Sequence, residues 1–180
     1  MSDMKRYLAF VTFHYDSLFE FLKSEGCVDI IVRKFTYGTE VDFHCKDDEI
    51  LSRLSRRYAF QRLQEFDEEA DSFRLEKRQS FLEREDEIVG EANELISQER
   101  YWESHTVLEN LWKSHEGQRK KYYQGIILVS ASMTQHQMGK PVAAISLYRR
   151  ARSILQDSGI GEHILSQIPD EFSYPVFFTI

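Results

Sequence analysis

Only two cysteines occur in the 180 residues, Cys27 and Cys45, and they form no CxxC spacing. A disulfide framework or a cysteine-based zinc knuckle needs several closely spaced cysteines, so neither is available and two buried thiols are expected. Long apolar runs are also missing. The longest, such as residues 126–129, fall far short of the roughly 18 residues needed to span a membrane. Residues 1–6 open no signal-peptide pattern, so a cytoplasmic protein is expected. Basic residues are in deficit, with 23 Lys and Arg against 30 Asp and Glu for a formal net charge of −7. Nucleic acid is therefore a disfavoured partner, because non-specific affinity for it comes mostly from Lys and Arg neutralising phosphates. No glycine-rich phosphate loop and no nucleophile elbow is present.

The hydrophobic content of 42% is enough for one generous core or two small ones. The acidic excess is local: residues 61–99 carry 13 acidic side chains against 5 basic ones, Arg62, Arg74, Lys77, Arg78 and Arg84. Outside that stretch the chain is close to neutral. The overall pattern predicts an α+β protein in four parts: a small β-α-β-β-α module over residues 1–60, a charged connecting helix over 61–86, an antiparallel all-helical bundle of four to five helices over 87–168, and an extended segment over 169–180 that packs back.

Within the first module, residues 7–12 are rich in aromatic and β-branched side chains and read as a strand. Ser17 with Glu20 three residues later resembles a capping box, and Leu18, Phe21 and Leu22 form the apolar face of the helix it opens. Residues 28–35 are apolar on both faces, which predicts a central strand. The next strand alternates, with Val41, Phe43 and Cys45 on one side and Glu40, Asp42 and His44 on the other, so one buried and one solvated face is expected. Asp47 or Asp48 then caps a helix carrying Ile50, Leu51, Leu54 and Tyr58. These elements predict a three-stranded sheet with helices on one face.

Apolar residues from Ile88 to Ile96 and across residues 101–114 predict the first two helices of the bundle. A third follows over 119–138, with an inner stripe of Tyr122, Ile126, Val129, Met133 and His136. Gly139 ends it, and Pro141 sits where a first-turn proline opens a fourth helix burying Ala144, Leu147, Tyr148, Ala151, Ile154 and Leu155. Residues 162–167 add a short fifth. The aromatic segment 172–180 is too hydrophobic to remain in solvent, and Pro175 bars it from the middle of a sheet.

The second helix holds the candidate chemistry. Trp102, His105, Glu109 and Trp112 fall at offsets of three, seven and ten, so all four project along one face. A buried imidazole and carboxylate must find partners or incur a desolvation cost, so His105 and Glu109 are expected to be buried together. With His136 from the next helix they offer two nitrogens and an oxygen to a divalent metal, zinc or manganese, and Gln124 stands where it can support the pair or a bound water. His105 and Glu109 are the candidate catalytic groups; Trp102, Trp112, Gln124 and Tyr101 are candidate packing or supporting groups.

These residues also carry a resemblance. Tyr101-Trp102-Glu103-Ser104-His105, continuing to Leu108-Glu109-Asn110-Leu111-Trp112, is similar to the hallmark of the family called domain of unknown function 309. Tyr122-Tyr123-Gln124-Gly125 resembles its second signature, and His136 with Gly139 its third, so the likeness covers about residues 86–156. The family has been labelled a metal-dependent hydrolase, and the resemblance implies that activity for His105, Glu109 and His136. The chain departs from the family pattern at Thr106, where members commonly have glutamate, and at Lys140, where they commonly have asparagine. Without the first carboxylate, the most natural general base near a metal-bound water is absent. The alternative function is a non-enzymatic, helical-repeat-like interaction module, suggested by the spacing of Tyr101, Gly125, Ala144 and Ala151. Either function leaves a homo-oligomer open.

Overall fold

The computed structural model describes residues 4–12, 17–47, 49–58, 60–66 and 84–180, with side chains described for all of these except 60–66. They fall into two compact units, one within residues 1–74 and the other within residues 75–180.

The first unit runs β1 (Lys5–Val11), α1 (Leu18–Ser24), β2 (Val28–Phe35), β3 (Gly38–Cys45), α2 (Ile50–Arg57) and β4 (Phe60–Phe66). Its strands pair antiparallel in the order β2-β3-β1-β4. β1 and β2 are thus parallel but separated by β3, which is the split β-α-β arrangement of ferredoxin-like folds. The α+β class stands, with a fourth strand added to the expected three. β4 occupies residues where the connecting helix was expected, and the rest of that helix, residues 67–83, lies outside the described residues. Tyr7, Ala9, Val11, Val41, Phe43 and Cys45 meet Leu18, Leu22, Ile50 and Leu54 in one core. Ser17 begins α1 without a side-chain cap; its hydroxyl lies 3.2 Å from the Tyr58 hydroxyl instead.

Two expectations for the sheet are corrected. β2 is an edge strand, and β3, expected to have a solvated face, is central and buried on both sides. The reason is a buried ion-pair network. Arg33 on β2 contacts Glu40 at 2.5 Å and Asp42 at 3.8 Å, while Arg6 on β1 donates twice to Asp42, at 3.0 and 2.8 Å. Two guanidinium groups thus compensate two carboxylates across three strands, which is the condition for burying such charges.

The second unit contains α3 (Glu85–Ser97), α4 (Tyr101–Ser114), α5 (Gly117–Gln137), α6 (Pro141–Ser158) and the single turn α7 (Glu162–Leu165). Each long helix packs chiefly on its sequence neighbour, α3 on α4, α4 on α5 and α5 on α6, as short loops dictate. Tyr101, Leu108, Leu111, Ile126, Val129, Met133, Tyr148, Ala151 and Leu155 fill the core. The inner stripe of α5 is rotated at both ends from the expected one: Tyr123 and Gln137 are buried, whereas Tyr122 and His136 are only half-buried. The segment after α7 is extended rather than a strand. It buries Val176 and Phe178 in the same core, and its ends are fixed by Tyr101 Oη donating to Val176 O at 2.9 Å and by Ile180 N donating to Asn93 Oδ1 at 2.8 Å.

The α5–α6 pair approaches closely at Gly125, where an added Cβ would stand 2.6 Å from Leu155 Cγ. Replacing a helical glycine with alanine normally gains about 0.5–1 kcal/mol, whereas overpacking a core costs about 1–3 kcal/mol. Gly125→Ala is therefore expected to lower stability by about 1–2 kcal/mol. In contrast, Gly90→Ala on α3, where nothing lies within 4 Å, should raise stability by about 0.5–1 kcal/mol. Urea unfolding of the two variants checks the opposite signs.

Candidate functional site

A helix can bury only one stripe against its neighbours, and on α4 that stripe is Tyr101, Ser104, Leu108 and Leu111. Trp102, His105, Glu109 and Trp112 each follow a member of it by one residue, so they lie along its edge. Trp102 is 43% exposed, and the His105 and Glu109 side chains are 21% and 36% exposed. The expected deep burial of the pair is corrected accordingly.

The structure does bring His105 and Glu109 side by side. His105 Nε2 stands 3.8 Å from Glu109 Oε1, beyond hydrogen-bonding range, and Lys113 Nζ donates to the other carboxylate oxygen at 3.0 Å. The His105 ring stacks on Trp102, with centroids 5.5 Å apart and planes 14° apart. Trp112 is half-buried beneath Lys120, whose ammonium lies 5.2 Å from its ring centre. Among the described residues, His105 Nδ1 and Trp112 Nε1 are buried with no hydrogen-bond partner.

His136 does not face a shared metal position with this pair. Its ring stacks on Tyr174 at 4.5 Å and tilts against Phe172 at 5.6 Å, and among the described residues no three His, Cys, Asp or Glu side chains gather where they could hold a metal ion. Gln124 is half-buried, and Tyr101 is fully buried as part of the core.

Two polar clusters escaped the sequence reading. In the first, Glu85, the opening residue of α3, accepts from Tyr123 Oη at 2.5 Å and lies 3.3 Å from His115 Nε2 and 3.5 Å from Arg119 Nη1; His115 stacks on Tyr123 at 5.2 Å. Burial, then the neighbouring Glu85, raises the Tyr123 phenol pKa far above its usual value, so it stays protonated and donates. In the second, Glu99 adopts a left-handed backbone, φ +57°, in the α3–α4 turn. That conformation costs a non-glycine residue about 1 kcal/mol, offset here by Gln137 Nε2 donating to Glu99 O at 2.8 Å and Tyr174 Oη donating to Glu99 Oε2 at 2.7 Å. Neither cluster has a sequence motif. The available signal was an acidic residue at each end of α3.

The environment of His105 sets the direction of its titration. Burial lowers its pKa below 6.5; Glu109 opposes that shift and Lys113 adds to it. The unfolded imidazole therefore binds a proton more readily. The stability from keeping His105 neutral is complete above pH 6.5 and is lost as pH falls from there towards the folded pKa. NMR titration should place His105 below 6.5, with Glu109→Gln moving it further down and Lys113→Met moving it up. A wild-type value above 6.5 would contradict the half-buried geometry.

Over the described residues no helix is long and apolar enough to cross a membrane. No curated protein and no solved structure matches the chain. Residues 89–147, from the second turn of α3 into the second turn of α6, match the family described as Domain of unknown function (DUF309).

Proposed function

We propose that the helical unit is a non-enzymatic interaction module, built like one and a half helix-pair repeats, which receives a partner protein on the α4 face bearing Trp102, His105, Glu109 and Trp112. The observation that carries this reading is the alignment of α3 with α5. Glu85 at the start of α3 meets Tyr123 in the second turn of α5, and Glu99 just past α3 meets Gln137 at the end of α5, both pairs 38 residues apart. α3 and α5 therefore run parallel with α4 antiparallel to both, the relation between equivalent helices of stacked hairpins. The close α5–α6 contact at Gly125, with Ala144 and Ala151 of α6 also buried, supports the second hairpin.

The α4 face supports docking rather than hydrolysis. A hydrolytic metal would need His105, Glu109 and His136 around one ion, yet Lys113 already neutralises Glu109 and His136 is stacked on Tyr174. Large aromatic side chains carry a disproportionate share of binding energy at protein interfaces, and Trp102 is a large exposed aromatic on α4, pre-positioned by its stack on His105.

Placing a photo-crosslinking amino acid at position 102 in the full chain tests the reading in cells. A discrete adduct with a partner polypeptide is expected, and it should be absent when the same probe is placed at Val142, which is 83% exposed on α6. No adduct, or the same adducts from both positions, would contradict docking on α4.

A further inference from the structure

The two cysteines lie in the first unit, and the strand register brings them together. Val28 pairs with His44 in the antiparallel β2–β3 ladder, so the next position outward sets Cys27 opposite Cys45. Both are buried, 5% and 1% exposed, in the same core, and the Cys45 thiol is near enough to Cys27 to help raise its pKa. Directly opposed residues of an antiparallel pair have Cα atoms about 4.5–5.5 Å apart, inside the roughly 4.4–6.8 Å span of a disulfide. That spacing is compatible with joining them.

The β2–β3 ladder is also interrupted at this end. The register shifts between Val28 and Ile31, and Asp29 takes a left-handed φ of +52° there, so the Val28–His44 pair is cut off from the rest of the β2–β3 ladder. Arg53 on α2 braces the segment alongside its backbone hydrogen bonds. Its guanidinium lies 2.8 Å from Glu25 and also pairs with Asp47, each acid two residues from a cysteine. We propose that Cys27 and Cys45 are a reversible disulfide site that reacts with small-molecule disulfides when the Arg53 clamp opens.

The chemistry is thiol–disulfide exchange. One cysteine thiolate attacks a small disulfide RSSR, giving a mixed disulfide and releasing RS⁻. The second cysteine, deprotonated in turn, attacks the protein sulfur of that mixed disulfide and releases the other RS⁻. The net reaction converts the protein dithiol and RSSR into the protein disulfide and two RSH. While the clamp is shut, burial holds the Cys27 thiol pKa well above its usual value and suppresses the thiolate that must attack. The cross-link fastens edge strand β2 to central strand β3 beyond the bulge.

Incubation of the full chain with oxidised glutathione, followed by alkylation of free thiols and non-reducing peptide mapping, tests the site. The expected product is a cross-link between the peptides containing Cys27 and Cys45, with two hydrogens lost, restored by dithiothreitol. Cys27→Ser should instead trap a stable glutathione adduct at Cys45, and Cys45→Ser one at Cys27. Arg53→Gln should speed cross-linking severalfold with the same end product. Two alkylated thiols, or a wild-type chain that stops at the mixed disulfide, would overturn the site; an unchanged rate in Arg53→Gln would overturn the clamp's role.

Discussion

The geometry of the helical unit follows from which stripe of α4 is buried. Tyr101, Ser104, Leu108 and Leu111 take the inward positions, and a helix between two neighbours has no second inward face to give. Trp102, His105, Glu109 and Trp112, one residue further along, must therefore share the boundary between core and solvent. Every property of that face descends from this offset: the modest distance between His105 and Glu109, the access of Lys113 to the carboxylate, and the open side of Trp102. Had the stripe been rotated by one residue, the same four side chains would face the core. A closed pocket is what a metal centre requires, whereas a boundary face suits a surface contact.

The polar clusters at the two ends of α3 serve a different purpose. They pair α3 with α5 at both ends, through Glu85 with Tyr123 and Glu99 with Gln137. Polar pairs fix register better than apolar packing does, because a slip by one residue leaves a buried carboxylate or amide without a partner. The C-terminal segment joins the same arrangement, with Tyr174 on the Glu99 carboxylate and Val176 receiving the Tyr101 hydroxyl. Residues far apart in sequence thus meet at one end of the hairpin array, close to His136. That placement accounts for His136 stacking on Tyr174 instead of joining the α4 face.

Much of this was legible in the residues, and the failures have physical causes. The four long helices could be read because their apolar spacing, Gly139 and Pro141 all agree with one another. Position 60–66 misled because Phe60, Leu63 and Phe66 fall three apart, a helical interval, while the strand there is made by pairing with β1. β2 looked central from its two apolar faces and β3 half-solvated from its alternation. The reverse holds because Arg33 and Arg6 let Glu40 and Asp42 be buried, and such cross-strand compensation depends on a register that a single strand does not encode. At the site, the spacing sets Trp102, His105, Glu109 and Trp112 along one edge of the buried stripe of α4. Spacing alone, however, does not say which of two adjacent stripes points inward.

We propose the α4 face as an open docking surface rather than a metal centre. Calorimetric titration of zinc, then manganese, into the full chain near pH 7.5 tests it most directly. The geometry predicts no saturable one-to-one binding, because His105 and Glu109 supply at most two ligands and Lys113 competes for the carboxylate. Stoichiometric binding that disappears in both His105→Ala and His136→Ala would contradict it, since those two rings would then have to meet at one ion.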